Sequence, residues 1–504
     1  MFGVSSVWRW FASDVGYYFA IAYRSRPPFF TFDGENPTTG FHPLWQVLLV
    51  PIARAFPNNR DAFIVTVFSL GAALLFASMA AIVLFLATYF GFRGSLFIVF
   101  FPGYWLIAGV TLNPNYGHTL SFLNGMESAL AFALVTAIVL AFVSALRSPS
   151  ALKLLGFGAV LSFAALARLE VGVLSGLILI TFILAKRLTW YQFLTLITIP
   201  VLSAATYLIF NRTVGGNWLP TNAVSKQRVN GALDWNLNDL SRALSGQGDW
   251  LEVRLWHHAQ VLIPAIICAI FLIAIAVILR LQRSHSFRSL KSFRQWLVAD
   301  GLLPTIGVVL SLYVVLKAYV IYRSTDIWTQ GHWYFFDSIA ISNMIVAIAL
   351  WVPLGPRLTR NPQVVLVFTT ISLFFAFPVM KISSTYNEQY VEYWETRSAI
   401  CEKLESAMGT ACEDLRAMEF DDGHGNFGLG IRSQSGFGLA GDPALASAVS
   451  GGELEPLIRD RNLGLLFSLN YGKVYTEALE CPEAVVINEQ LPRIVDVSAC
   501  FDGS

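Results

Sequence analysis

Ionisable side chains embedded in a strongly apolar chain are the first residues to weigh. Asp14 sits in Ser13-Asp14-Val15-Gly16-Tyr17-Tyr18-Phe19. A carboxylate at a membrane boundary is costly unless solvated or paired, which makes it a functional candidate by default. The plainer alternative is a helix cap, with Ser13 or Asp14 satisfying free N–H groups ahead of Tyr17 to Tyr23. Glu127 opens an apolar run; it suits either the positive end of a helix or a metal or substrate role. Arg168 and Glu170 are two residues apart and would not share a helix face; in a tight turn they either cap the flanking helices or serve function. Lys226 is either a snorkelling lysine or a ligand contact. His42 and His332 stand alone, outside any spaced His/Cys set, so a zinc site is not indicated. A divalent cation such as magnesium or manganese, held by carboxylates and phosphate, is compatible with the composition. No Walker A and no Gly-X-Gly-X-X-Gly before a helix is found, so neither ATP nor a dinucleotide is indicated.

The elements that must position these residues are membrane helices. The chain has 504 residues, 55% hydrophobic and only 13% charged, with a mean hydropathy of +0.58. Soluble domains carry about a quarter charged residues, so a soluble fold is excluded. The net charge of +1 offers no bulk field to recruit nucleic acid. A helix needs roughly 17–25 apolar residues to cross the hydrocarbon core. Such runs fall at 62–90, 94–112, 125–146, 152–168, 171–185, 189–210, 257–281, 296–320, 337–355 and 363–382. The runs 152–168 and 171–185 read as a tight hairpin around Arg168-Leu169-Glu170, or else as one kinked helix.

Basic residues orient the bundle, because short cytoplasmic loops carry excess Lys and Arg. Arg93, Arg147, Lys153, Lys186, Arg187, Arg280, Arg283, Arg288, Lys291, Arg294, Arg357 and Arg360 all fall in alternate loops. That predicts residues 1–61, 113–124, 168–170, 211–256, 321–336 and 383–504 on the outer side. Three regions follow: an outer N-terminal loop at 1–61, a multi-span domain at 62–383 and a soluble extracytoplasmic domain at 384–504. Leu44 to Phe56, between Pro43 and Pro57, is short for a span and predicts an interfacial helix, with Trp45 at a suitable depth.

Cys268 lies in an apolar run, whereas Cys401, Cys412, Cys481 and Cys500 lie in the C-terminal region. That even number suits disulfides in an oxidising compartment; free thiols in a cytoplasm are the alternative. In the same region Tyr390, Tyr393, Trp394, Ile400 and Leu404 recur at helical spacing. Residues 421–428 read as Gly-rich turn, and 464–469 and 484–487 as strands. A small α/β or α+β domain is expected.

The N-terminal loop continues Phe30-Thr31-Phe32-Asp33-Gly34-Glu35-Asn36-Pro37-Thr38-Thr39-Gly40-Phe41-His42-Pro43-Leu44-Trp45. This stretch resembles the first outer loop of the GT-C superfamily of integral membrane glycosyltransferases. Asn124-Gly125-Met126-Glu127-Ser128-Ala129-Leu130, Leu166-Ala167-Arg168-Leu169-Glu170, Gly216-Asn217-Trp218-Leu219-Pro220-Thr221-Asn222 with Lys226, and the pair Trp333-Tyr334 are similar to motifs of its bacterial arabinofuranosyl- and mannosyl-transferase members. Ser13 stands where those proteins carry the first acidic residue of a pair. The helix that usually precedes the loop is not seen, and the apolar residues up to Ala12 lead to the expectation of a longer gene with an upstream first helix.

The resemblance implies a mainly α, polytopic fold of about ten transmembrane helices in the plasma (inner) membrane. It also implies a reaction: a sugar passes from a polyprenyl-phosphate donor to an acceptor hydroxyl of a cell-envelope glycan, glycolipid or protein on the outer face, with inversion. Such chemistry needs a carboxylate base near the acceptor hydroxyl and cations at the departing phosphate. Asp14 fits the base; Lys226, Arg168 and Arg323 fit the donor phosphate. His42, Glu127, Glu170, Trp218, His332 and Tyr334 fit the substrate and acceptor region, although interfacial belts also account for such aromatics. The implied partners are the lipid-linked donor, the acceptor and membrane lipid, with no nucleic acid. Two other classes are a transporter or flippase of lipid-linked sugars and a non-catalytic glycan-binding membrane protein. Polar residues gathered at outer helix ends, rather than at mid-membrane within repeats, favour the enzyme.

Overall fold

The computed structural model describes residues 7, 14–26, 28–100, 125–185, 188–226, 232–245, 251–283, 302–324, 335–358, 363, 388–419, 424–435, 444–445, 454–461, 463–468, 484–488 and 493–500. The spans expected at 94–112 beyond Phe100 and at 363–382, and the residues His332, Trp333 and Tyr334, lie outside them.

The chain is a polytopic bundle of membrane helices carrying a small α/β domain. Two short helices come first, α1 (Val15–Arg24) and α2 (Pro43–Ala55). Pro43 starts α2 without loss, since the first helical N–H has no partner to give up. Trp45 is 1% exposed and packs in the core.

Helix α3 (Arg60–Val99) begins where the Asn59 side chain accepts from the Ala62 N–H at 2.9 Å, and it breaks at Gly91, whose φ is 70°. No side chain adopts that conformation cheaply, so glycine separates the first apolar run from the second. From Arg60 to the break α3 runs about 45 Å, longer than the roughly 30 Å hydrocarbon core. It is thus long enough to span with tilt or with turns projecting beyond the core.

The remaining helices are α4 (Ser128–Arg147), α5 (Ala151–Ala167), α6 (Val171–Ala185), α7 (Trp190–Val214), α8 (Thr221–Lys226), α9 (Ala232–Leu244), α10 (Leu251–Arg283), α11 (Leu302–Ser324) and α12 (Phe336–Leu358). The pair α5 and α6 is a true hairpin, because Arg168 is extended (φ −153°, ψ 122°) and ends α5. Phe142, Phe157 and Phe182 pack α4, α5 and α6 edge to face in one apolar core. Helix α7 instead leaves Val201, Leu202, Leu208 and Ile209 exposed, a surface suited to lipid. The amphipathic α9 is tied to the bundle by Asn236 Nδ2, which donates to the Tyr322 carbonyl at 2.8 Å, and by Asp239 against His258 Nε2 at 3.2 Å.

The C-terminal domain opens with α13 (Glu388–Met408), which buries Tyr393, Trp394 and Leu404 as the helical spacing predicts. A disulfide joins Cys401 to Cys412; Cys268 is free and buried, and Cys481 lies outside the described residues. Strands β1 (Arg416–Glu419), β2 (Arg432–Ser435), β3 (Leu465–Ser468), β4 (Val485–Asn488) and β5 (Arg493–Asp496) form one sheet in the order β2-β1-β3-β5-β4. The first three are parallel, and β5 runs antiparallel to β3 and β4. Residues 424–429, expected as turn, form the helix α14 (His424–Leu429). Its glycines serve close packing: a Cβ on Gly425 would meet the Phe467 ring at 3.0 Å, and one on Gly428 would collide with the Tyr393 hydroxyl.

This domain is docked on the N-terminal loop. Phe427 lies against Phe19, Tyr23 and Phe63 and stacks on Trp394. Around it, Arg24 donates to the carbonyls of Gly430 and Ile431, Arg60 to that of Gly428, Asn426 Nδ2 to that of Phe32, and the Trp394 indole to Asp61. A single apolar core runs from Val15–Ala22 through Trp45 and Phe63 to Tyr393, Phe427 and Phe467.

Candidate functional site

Helix ends build the site. Asp14 precedes α1, His42 precedes α2, Glu127 precedes α4, Arg168 terminates α5, Glu170 precedes α6, and Asp337 lies in the first turn of α12. None of Asp14, His42 and Glu127 uses its side chain to cap its own helix. The capping alternative for Asp14 therefore does not account for its carboxylate, whereas Glu127 does stand at the positive end of α4.

Four residues singled out in the sequence come together. His42 Nε2 is 3.4 Å from Glu127 Oε1, Arg168 Nε is 3.6 Å from the same oxygen, and Arg168 Nη2 is 2.7 Å from Glu170 Oε1. Arg168 is 1% exposed and Glu127 fully buried. The Arg168 guanidinium also lies over the Phe336 ring, 5.8 Å from its centre. Burial pushes the Glu170 carboxyl up, but Arg168, Lys317 and His42 outweigh it and hold the group down at about 2. Asp14 stands one helical turn before Tyr18, whose ring stacks on His42 with centres 6.2 Å apart and planes 8° from parallel.

Three further residues complete the cluster and were missed. Lys317 Nζ is 2.8 Å from Asp337 Oδ1, and the Tyr313 hydroxyl donates to Asp337 Oδ2 at 2.5 Å. Both partners of the ion pair are almost fully buried. A signal for them existed: a lone lysine and a lone aspartate in apolar runs are expensive enough to be functional candidates on that ground.

The outer-loop motifs converge as well. The Thr221 N–H donates to Thr39 Oγ1 at 3.1 Å, and the Thr38 and Thr221 hydroxyls are 3.5 Å apart. This seats α8, and with it the backbone of Lys226, against the Phe30–Trp45 loop. Trp218 is exposed, with its carbonyl accepting from Asn211 Nδ2. Arg323 is exposed at the end of α11, on the helix whose Lys317 joins the cluster. Asp33 is structural: it accepts from the Thr31 hydroxyl, the N–H groups of Glu35 and Asn36, and Gln434 Nε2.

Beneath the cluster, a cavity of about 330 Å³ lies between α3, α4, α10, α11 and α12. Phe85, Phe132, Phe271, Ile341 and Met344 line it, and Asp337 is its charged residue. Phe132 and Phe336 meet at 6.3 Å between this apolar space and the buried ions.

Arg168 pairs with both Glu127 and Glu170, supplying the counter-charge a metal would bring. Among the described residues the one converging group of three is Cys401, Glu405 and Cys412, and its cysteines are joined to each other.

A bundle with helix ends gathered over an apolar cavity, and a small domain docked on the first loop, is a fold this chain shares with a solved membrane protein. ArnT from Cupriavidus metallidurans, in a crystal structure bound to undecaprenyl phosphate, aligns with a TM-score of 0.55 and 11% identity over 98% of this chain and 95% of that one. The apo state of the same protein aligns at 0.42 and 13% identity, over 98% and 96%. At these identities the likeness is one of fold. No family model matches the chain, and no curated protein matches it in sequence.

Proposed function

We propose that this protein is an inverting glycosyltransferase that moves a sugar from a polyprenyl-phosphate donor to an acceptor hydroxyl at the outer face of the membrane. The observation that carries the proposal is the apolar cavity lined at one end by Asp337, the ion-pair partner of buried Lys317. A polyprenyl tail belongs in such a cavity, and a phosphate at its charged end. The fold shared with a protein crystallised on undecaprenyl phosphate supports the same donor class.

The chemistry follows from charge. As the sugar–phosphate bond breaks, negative charge grows on the leaving lipid phosphate, and preorganised cations in a water-poor site stabilise it far better than water does. Arg168 supplies a planar fork for phosphate oxygens; Lys317 supplies a point charge. The N-termini of α2, α4, α6 and α12 bring their positive ends to the same place. Asp14 takes the proton of the acceptor hydroxyl as it attacks from the opposite side, which inverts the anomeric carbon. Alternating basic loops support an extracytoplasmic site and C-terminal domain in the plasma membrane. Cell-envelope glycan, glycolipid or protein is the acceptor class.

The test is turnover of radiolabelled polyprenyl-phosphate sugars by purified full-length protein beside its Asp14→Asn variant. Loss of a general base costs about 10²–10⁴-fold, with the variant's thermal unfolding unchanged. Retained turnover refutes the role of Asp14. Lipid-linked sugar crossing vesicle membranes, with no donor consumed, replaces the enzyme with a transporter.

A further inference from the structure

We infer that Glu127 reads the transferred sugar, its two carboxylate oxygens accepting hydrogen bonds from hydroxyls of the sugar ring on the lipid-phosphate donor. The inference rests on the proposed donor class and deepens it.

Glu127 is fully buried, and among the described residues neither Oε1 nor Oε2 accepts a hydrogen bond. His42 Nε2 and Arg168 Nε approach to 3.4 and 3.6 Å, outside the roughly 2.7–3.2 Å of an N–H···O bond. Buried polar groups are satisfied in the great majority of cases, and a buried ionised carboxylate has the strongest need. Its side chain does not cap α4. Gly125, at φ 77°, helps turn the chain into that helix where a side chain would be strained.

The missing donors belong to a polyol. Arg168 already balances the charge, so the acceptors need neutral donors, and hydroxyls give short bonds to carboxylates. A carboxylate can accept from two hydroxyls at once. Position selects the donor sugar. Arg168 lies between Glu127 and the Phe336 ring, which packs against the cavity-lining Phe132 and directly precedes the cavity-lining Asp337; a lipid phosphate at that end of the cavity carries its sugar toward Glu127. His42, with Tyr18 of α1 stacked on it, bounds Glu127 on the other side. Glu127 thus has a positioning and specificity role, with no proton transferred to it.

The experiment measures binding of undecaprenyl phosphate and of undecaprenyl phosphates bearing mannose, arabinofuranose, glucose or galactose to the full-length protein and its Glu127→Gln variant. The wild type should bind at least one sugar-bearing lipid about tenfold or more tightly than the bare lipid phosphate, as loss of a charged hydrogen bond implies. E127Q should lose that preference while its affinity for undecaprenyl phosphate stays within about twofold. An equal preference in both proteins overturns the inference. So does equal weakening of every lipid, which would mark Glu127 as a support for Arg168, and Glu127→Asp, which keeps the charge, separates that case. Failure of the wild type to bind any of these lipids removes the donor site itself, and the sugar contact with it.

Discussion

Arg168 Nη2 lies 2.7 Å from Glu170 Oε1, although residues two apart on one helix point to different faces. The pairing exists because α5 stops at Ala167 and the backbone at Arg168 is extended. The hairpin turn thereby aims a guanidinium and a carboxylate into the same buried space at the helix ends.

That pair sets a pH dependence. Burial raises the Glu170 pKa, but Arg168, Lys317 and His42 bring it from 4.5 down to about 2. A carboxyl whose folded pKa is depressed contributes stability above its unfolded value and loses it as pH falls through the folded value. Stability should therefore fall between about pH 4.5 and about 2, by on the order of 3 kcal/mol from this group. Thermal unfolding of Glu170→Gln in detergent across that window should show a flatter profile; a slope equal to the wild type's would refute it.

Lys317 should matter more to the lipid phosphate than Arg323. Lys317 is buried beside Asp337 at the cavity edge, whereas Arg323 is exposed at the end of the same helix. Lys317→Gln should weaken undecaprenyl-phosphate binding about tenfold or more, and Arg323→Gln by less than about threefold. The reverse order, read by titration of the purified variants, would move the phosphate site to the outer loop.

Asn426 should couple the C-terminal domain to the first loop. Its Nδ2 donates to the Phe32 carbonyl at 2.8 Å, while its N–H is held by buried Glu419. Asn426→Ala leaves that carbonyl buried without its donor, at a cost of about 1–3 kcal/mol. Hydrogen exchange should rise together in residues 28–40 and 424–435. Truncation after residue 383 should likewise disturb donor and acceptor use alike, because one core serves both segments. Unchanged exchange in 28–40 would show an independently folded domain.

Much of the site was legible before the fold. His42, Glu127, Arg168 and Glu170 stand at the ends of apolar runs, where helix termini gather polar groups, and the structure brings all four together. Lys317 and Asp337 were hidden by their surroundings: window hydropathy averages a single charge away, and only burial beside each other shows why both are tolerated. The helix at 424–429 was hidden by its glycines, which favour turns locally and are held helical by the aromatic rings packed on them.

By itself the sequence determined the solvent. Apolar runs of membrane-spanning length place the chain in lipid, since that depends on transfer free energies summed locally along the chain. Tertiary structure alone decided which ions meet, that Glu127 is left without a hydrogen-bond donor, and that the C-terminal domain shares a core with the first loop. Those are contacts between residues as much as 407 positions apart, as Arg24 and Ile431 are. No local energy term reports them; they follow from the packing of one helix end against another.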